Sequence, residues 1–357
     1  MKKLLALFAV AVLLLSGCTN GGDDNGDNNG NGNGGGDEPT VLKVGTASYT
    51  SVSGRDFNTE TAVEGRVQVN TYYATVALDA DGKFVYVDID TAQNQGTFDD
   101  EGNIVVAEAQ PTKKEKGDAY GMVGRSEIGK EWYEQIAALE EWMIGQTLAE
   151  VLAVPVKVVD DAHQHVPDHE DLTSSVTITI EGYLEVVKKA AESAIEVEGL
   201  AKLGSGSYTK VAGRPFNAET AVEGRVQVNV TYAGVGLDAD GKIAYVFIDT
   251  AQNQGTFDEE GVVLVADAQP TKKEKGDAYG MVGRSDIGKE WYEQIAALEE
   301  HMIGLTLSEV KAIPVKVVDD AHQNVPSDED LASSVTITIE AYQGAVEKAV
   351  GNAIDLP

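Results

Sequence analysis

From Val67 to Leu78 apolar residues alternate with polar ones, and a second apolar run follows at Phe84–Ile89. A period of two marks a half-buried strand, so these runs predict an antiparallel pair. Between them D-A-D-G-K (Asp79–Lys83, and again Asp238–Lys242) is a tight-turn signal, with Gly82 free to take positive φ. A calcium loop would need Gly at its sixth position and Glu at its twelfth, which this stretch does not supply. Thr91–Asp99 (T-A-Q-N-Q-G-T-F-D) then reads as loop, followed by a short apolar strand. The pattern changes at Ile128: Ile128, Trp132, Ile136, Leu139 and Met143 recur at spacings of four, four, three and four, predicting an amphipathic helix closed by Gly145. T-L-A-E (Thr147–Glu150) and T-L-S-E (Thr306–Glu309) are capping boxes that open a second helix. Pro155 leads into V-K-V-V, a strand, and then an acidic loop, D-D-A-H-Q.

The whole pattern occurs twice, at a constant offset of 159 residues and without a gap: Gly54 maps to Gly213, Tyr120 to Tyr279, Trp132 to Trp291 and Thr177 to Thr336. A period this long means two whole domains, expected over 41–197 and 200–357, because solenoid repeats run only about 20 to 50 residues. The short joint predicts that they lie close together. Each copy is expected to be α+β, with antiparallel strands and helices to one side.

Near the end of each copy the string D-L-T-S-S-V-T-I-T-I (171–180) has the counterpart D-L-A-S-S-V-T-I-T-I (330–339). Propensity alone makes it a strand. Downstream, however, Tyr183, Val187, Ala191 and Ala194 continue a helical face, which puts the helix entry at Ser175 or Thr177. Ser174 and Ser175 are good N-cap types, and Thr177 at a helix N-terminus would lie where free N–H groups favour an anion such as phosphate.

Charge narrows the partners. The 27 Lys and Arg face 59 Asp and Glu, a formal charge of −32, which repels nucleic acid and anionic lipid. The opening M-K-K-L-L-A-L-F-A-V-A-V-L-L-L-S-G-C (1–18) has a charged start and an apolar run too short to span a membrane comfortably. Leu15-Ser16-Gly17-Cys18 resembles the bacterial lipobox, which implies a signal peptide over 1–17 and lipidation of Cys18; the alternative is an ordinary secretory signal. Cys18 is the only cysteine, which rules out an intramolecular disulfide and a thiolate metal site. The rest of 18–40 is Gly/Asn/Asp-rich and is expected to be a disordered tether. These features together predict a protein anchored by lipid alone to the outer face of the cytoplasmic membrane.

Catalytic signatures are sparse. His163 and His322 lie beside adjacent Asp residues, but no Ser or Cys motif accompanies them, so exposed loop histidines without a catalytic role are expected. Lys113–Lys116 (K-K-E-K) reads as charged surface, and neither a P-loop, a G-x-G-x-x-G nor zinc-ligand spacing occurs.

The repeated string resembles the attachment motif of the covalent FMN-binding domain family, as in the C subunit of sodium-pumping NADH:quinone reductase. In that family a flavin transferase esterifies FMN phosphate to the last Thr of Asp-x-x-Ser/Thr-Gly-Ala-Thr. Asp171, Ser174 and Thr177 occupy the matching positions, as do Asp330, Ser333 and Thr336; Ser175 and Ser334 stand where the family prefers Gly, and Val176 and Val335 where it prefers Ala. The hairpin Val235–Asp249 also resembles the family's opening hairpin, and the motif's place before a final helix is similar. With the lipobox and the duplication, the chain resembles flavinylated lipoproteins of Gram-positive extracellular electron transfer. The resemblance implies two covalent FMN groups and a carrier, not an enzyme, that passes electrons from a membrane quinol-linked donor to extracellular acceptors such as ferric iron. It makes Tyr120, Met122 and Trp132, with Tyr279, Met281 and Trp291, candidates for the wall of the flavin ring, though each is equally readable as core. Lys116 and Arg125, with Lys275 and Arg284, are candidates to neutralise phosphate or reduced flavin. The rival reading is a non-redox lipoprotein that holds a ligand or partner in its acidic loops; a signalling peptide released from 1–17 is a third.

Overall fold

The computed structural model describes residues 41–161, 163–320 and 322–357. The expected signal peptide over 1–17, lipidation at Cys18 and tether over 18–40 fall outside the described residues. In the first copy the strands are β1 (Val41–Arg55), β2 (Gly65–Leu78), β3 (Phe84–Phe98) and β4 (Ile104–Ala107). Then come helices α1 (Lys113–Lys116), α2 (Trp132–Met143) and α3 (Leu148–Leu152), a small hairpin of β5 (Val156–Lys157) and β6 (Val166–Pro167), α4 (Glu181–Glu192) and β7 (Ile195–Glu198). The second copy repeats the order with β8 (Lys202–Arg214), β9 (Gly224–Leu237), β10 (Ile243–Phe257), β11 (Val263–Val265), α5 (Lys272–Lys275), α6 (Trp291–Met302) and α7 (Leu307–Lys311). It ends with β12 (Val315–Lys316), β13 (Val325–Pro326), a single turn α8 (Glu329–Ala332), α9 (Glu340–Gly351) and β14 (Ile354–Asp355). The architecture is α+β, with five-stranded sheets ordered β4-β3-β2-β1-β7 and β11-β10-β9-β8-β14, and residues 41–357 fall within one compact unit.

Strand parity explains how the layers stack. Along β2, Ala74, Val76 and Leu78 pack on α2 and α4 through Trp132, Ile136, Leu139, Val186 and Val187. Val67 and Val69 point to the other face, where they meet Val226, Val228, Val230 and Phe257 of the second copy. Each sheet is thus covered by its own helices on one face and by the other sheet on the opposite face, which buries both sides of its central strands. The helical layer sits very close: a Cβ at Gly45 of β1 would lie 1.9 Å from the Ala190 carbonyl oxygen of α4.

The seam relates the copies by an approximate two-fold. Phe98 stacks on its own counterpart Phe257, with centroids 3.7 Å apart and an interplanar angle of 6°. The Phe57 N–H donates to Gly261 O at 2.8 Å, and the Phe216 N–H to Gly102 O at 2.9 Å. Lys189 pairs with Glu274 while Lys348 pairs with Glu115. Such reciprocity is the mark of an isologous interface.

Several expectations change. Thr91–Asp99 is not loop: residues through Phe98 continue β3, paired with β2 from Tyr72↔Thr91 to Gly65↔Phe98. Its even-numbered residues Ala92, Asn94, Gly96 and Phe98 face the second copy, and a Cβ on Gly96 would lie 2.6 Å from the Val226 side chain. Close sheet packing therefore selects small residues that carry little strand propensity. The helix expected from Ser175 or Thr177 starts only at Glu181. Residues 171–175 form turns, and 176–180 run on without helix or strand.

Lys113–Lys116 is also more than charged surface. Thr112 and Glu115 cap it as a one-turn helix, and Lys114 Nζ lies 2.5 Å from Asp88 and 2.8 Å from Glu140. At the position matching Asp88 the second copy has Phe247, whose ring lies 3.9 Å from Lys273 Nζ. Burial pushes the Glu140 carboxyl up to about 7, against the pull of Lys114 and with the Asp88 charge adding to the rise. Folded Glu140 thus keeps its proton well above its ordinary value of 4.5, so the native state binds the extra proton and this contribution to stability is lost as pH rises through that window. Urea midpoints are expected to fall between about pH 5 and 8, and Glu140→Gln to flatten that part of the profile.

Candidate functional site

Thr177 opens onto a cavity of about 680 Å³, a size suited to a small cofactor. Three segments meet there. The stretch between α1 and α2 brings Tyr120, Met122 and Arg125, the β5–β6 hairpin brings Lys157 and His163, and the 176–178 run brings Thr177. Its counterpart of about 690 Å³ joins Tyr279, Met281, Arg284, Lys316, His322 and Thr336.

Local bonds hold each wall. The Glu131 carboxylate, buried at the start of α2, accepts from the Met122 N–H at 2.8 Å and the Val123 N–H at 3.0 Å. Those amides hold its pKa below the ordinary value, Val123 most of all. Beside Thr177, Val176 is fully buried and Ile178 half-buried, and all three line the cavity. The Thr177 N–H donates to Gln135 Oε1 at 2.8 Å, and the Thr177 hydroxyl is 3.3 Å from the same oxygen. Thr336 and Gln294 repeat this at 2.9 and 3.3 Å.

The remaining motif residues lie apart from the cavity. Asp171, Ser174, Asp330 and Ser333 are exposed, whereas Ser175 and Ser334 are half-buried. Ser175 Oγ donates to Leu172 O at 3.3 Å, closing the turn just ahead of Thr177. With the helix entry displaced to Glu181, Thr177 gains nothing from a helix N-terminus; positive charge at the cavity comes from Arg125 and Lys157 instead.

Of the proposed ring-wall residues, Tyr120 and Met122 line the cavity with Thr177, as Tyr279 and Met281 do with Thr336. Trp132 and Trp291 do not. They are core residues, 1 and 2 % exposed, whose Nε1–H groups donate to Tyr183 and Tyr342 at 2.8 Å. Arg125 and Arg284 belong to the cavities; Lys116 is absent from the lining, and Lys275 lines an adjoining cavity that shares Tyr279 and Arg284. Lys113 supports the wall from behind, its Nζ 5.2 Å from the Tyr120 ring and 5.0 Å from Trp132. Burial drops its pKa to about 8. Lys272 repeats this arrangement. His163 and His322 are exposed, as expected, with Nδ1 2.8 Å from Asp160 and Asp319.

Sequence reasoning passed over Gln135, Lys157 and their counterparts. Gln135 left a signal: a polar side chain three residues after Trp132 and four before Leu139, on the buried stripe of a helix. Lys157 left none, because a two-residue strand carries no usable period.

No family model matches the chain, and no solved structure matches it. A chlorophenol reductase from Desulfitobacterium hafniense is 31% identical over 149 residues. That match takes in 36% of this chain and 46% of the reductase, so the chain spans about half the length of this curated relative.

Proposed function

We propose that this protein is a surface-anchored flavoprotein electron carrier, made of two tandem FMN-binding-type domains, with FMN esterified to Thr177 and to Thr336. The observation that supports it most is that each hydroxyl lines a cofactor-sized cavity together with a guanidinium and an ammonium group. Lys157 also pairs with Asp168 at 3.1 Å, and Glu127 and Asp160 line the first cavity too. The donor set suits the group. Arg125 and Lys157 complement a phosphate, and Tyr120 and Met122 offer an aromatic face and a polarisable thioether to a planar ring. Exposed Asp171 and Ser174 are open to a flavin transferase approaching from solvent. When bound, FMN supplies the electron-transfer chemistry, while the chain binds and orients it. An ester linkage would also retain the cofactor outside the cell without high non-covalent affinity. The likeness to a reductase favours a redox setting and nothing narrower.

In this reading Cys18 carries the lipid anchor, the donor is linked to the membrane quinol pool, and the acceptors are extracellular, ferric iron among them. Intact mass after co-expression with a flavin transferase tests it. Two additions of FMN, each less one water, are expected. An unmodified mass beside an active transferase rejects the carrier and leaves the ligand-binding lipoprotein.

A further inference from the structure

We infer that Gln135 and Gln294 are the positioning residues for flavin attachment, each holding its acceptor threonine in the attacking orientation; this rests on the proposed function above. Gln135 is fully buried, and its amide orientation is fixed by its neighbours. Oε1 faces the Thr177 N–H, which can only donate, so this end must be the acceptor. Nε2 then donates to Ser126 Oγ at 3.2 Å and to Lys130 O at 3.4 Å. Oε1 thus accepts from both the backbone N–H and the hydroxyl of Thr177. Two bonds from one residue to one rigid, helix-borne oxygen fix the backbone and χ1 of Thr177 together. With its hydrogen committed to Gln135, the hydroxyl keeps its lone pairs for attack. Gln294 makes the same set with Thr336, Ser285 and Lys289.

The step they serve is phosphoryl transfer from a flavin phosphoanhydride. An Oγ1–P bond forms at the threonine, the P–O bond of the anhydride breaks, and the departing phosphate takes the electron pair. As the bond forms, the O–H turns from Gln135 to a base of the transferase, which takes the proton, since a neutral amide oxygen is too weak a base to keep it. The Thr177 N–H bond to Gln135 holds the residue in place meanwhile. Positioning of this kind lowers the barrier by holding the reacting atom in a near-attack geometry.

The two sites in one chain supply an internal reference. Purified full-length chain, transferase and a flavin dinucleotide are mixed, and site-resolved mass spectrometry follows Thr177 and Thr336 separately. Gln135→Leu is expected to slow modification of Thr177 by about tenfold or more and to leave Thr336 at the wild-type rate; Gln294→Leu is expected to do the reverse. The loss should fall on kcat with KM for the acceptor chain unchanged. Gln135→Glu, which keeps an acceptor oxygen toward Thr177, is expected to retain most of the rate; Gln135→Met, close to glutamine in size but without that oxygen, serves as the test if the leucine variant misfolds. Equal rates at both sites in Gln135→Leu, or a loss confined to KM, overturn the assignment. A wild-type chain that takes no flavin at either site overturns the acceptor reading itself, a distinct result.

Discussion

Thr177→Ala is expected to leave a chain that carries one flavin instead of two, with the survivor on Thr336. The substitution removes the Oγ1 nucleophile but keeps the backbone N–H that donates to Gln135 at 2.8 Å, so the segment should stay seated against α2. Val176, fully buried beside it, anchors the same stretch. The effect is therefore all-or-none at one site and close to silent in stability, as expected for a half-buried side chain that loses one long hydrogen bond. Flavin absorbance per chain should halve, Thr336→Ala should give the complementary product, and the double variant should be colourless. Thr177→Ser retains a hydroxyl and should restore the second flavin. Peptide mapping that finds flavin on Thr173 or Ser174 in the Thr177→Ala chain would show the acceptor to be wrongly placed.

Phe98→Ala has the largest expected effect on the fold, a loss of about 3–5 kcal/mol. The ring is fully buried and stacked on Phe257. Its other face lies directly on Gly65 of β2, where a Cβ would come within 2.1 Å of the ring; Gly224 and Phe257 repeat that distance. The centre of the molecule is thus a stack of Gly65, Phe98, Phe257 and Gly224 with no room for adjustment, and truncation leaves a cavity that two sheets must collapse together to fill. Urea unfolding of Phe98→Ala, Phe257→Ala and the double variant measures it. The double variant should cost less than the sum of the singles, because each single already destroys the shared stack. A single-variant loss below about 1 kcal/mol would show that the seam does not depend on this stack.

Legibility followed the physics of each element. Helix α2 was readable from Trp132 to Met143 because its apolar stripe recurs with the helical period, although Ile128, read as the first residue of that stripe, lies in a turn ahead of it. The Thr147–Glu150 box appears in the structure as the cap of α3. The outer half of β3 was not readable, since Ala92 and Gly96 owe their identities to a second sheet, and Asn94 to the Gln110 N–H it accepts from, none of which a local window contains. The helix entry was placed too early because a continuing apolar face was extended back through β-branched residues; the structure leaves 176–180 outside both helix and strand, with Val176 and Ile180 buried. At the site, aromatic residues fell on both sides of the line. Tyr120 lies at the cavity and Trp132 in the core, a division that depends on which face of a turn each occupies. Cavity cations from a distant hairpin, Lys157 above all, become neighbours only on folding.

The reciprocal seam bears on how such a chain arises. An isologous surface is one that a single-copy ancestor could have used to pair with itself, at an occupancy set by concentration. Fusion makes the pairing intramolecular and fixes the two halves at a one-to-one ratio. It also releases them from identity: Asp88 receives a hydrogen bond from Ser205 across the seam, whereas Phe247 at the matching position lies against Lys273. The Asp88–Ser205 bond therefore belongs to the pairing of unlike halves: two second copies would set Phe247, not a carboxylate, at that place in the seam.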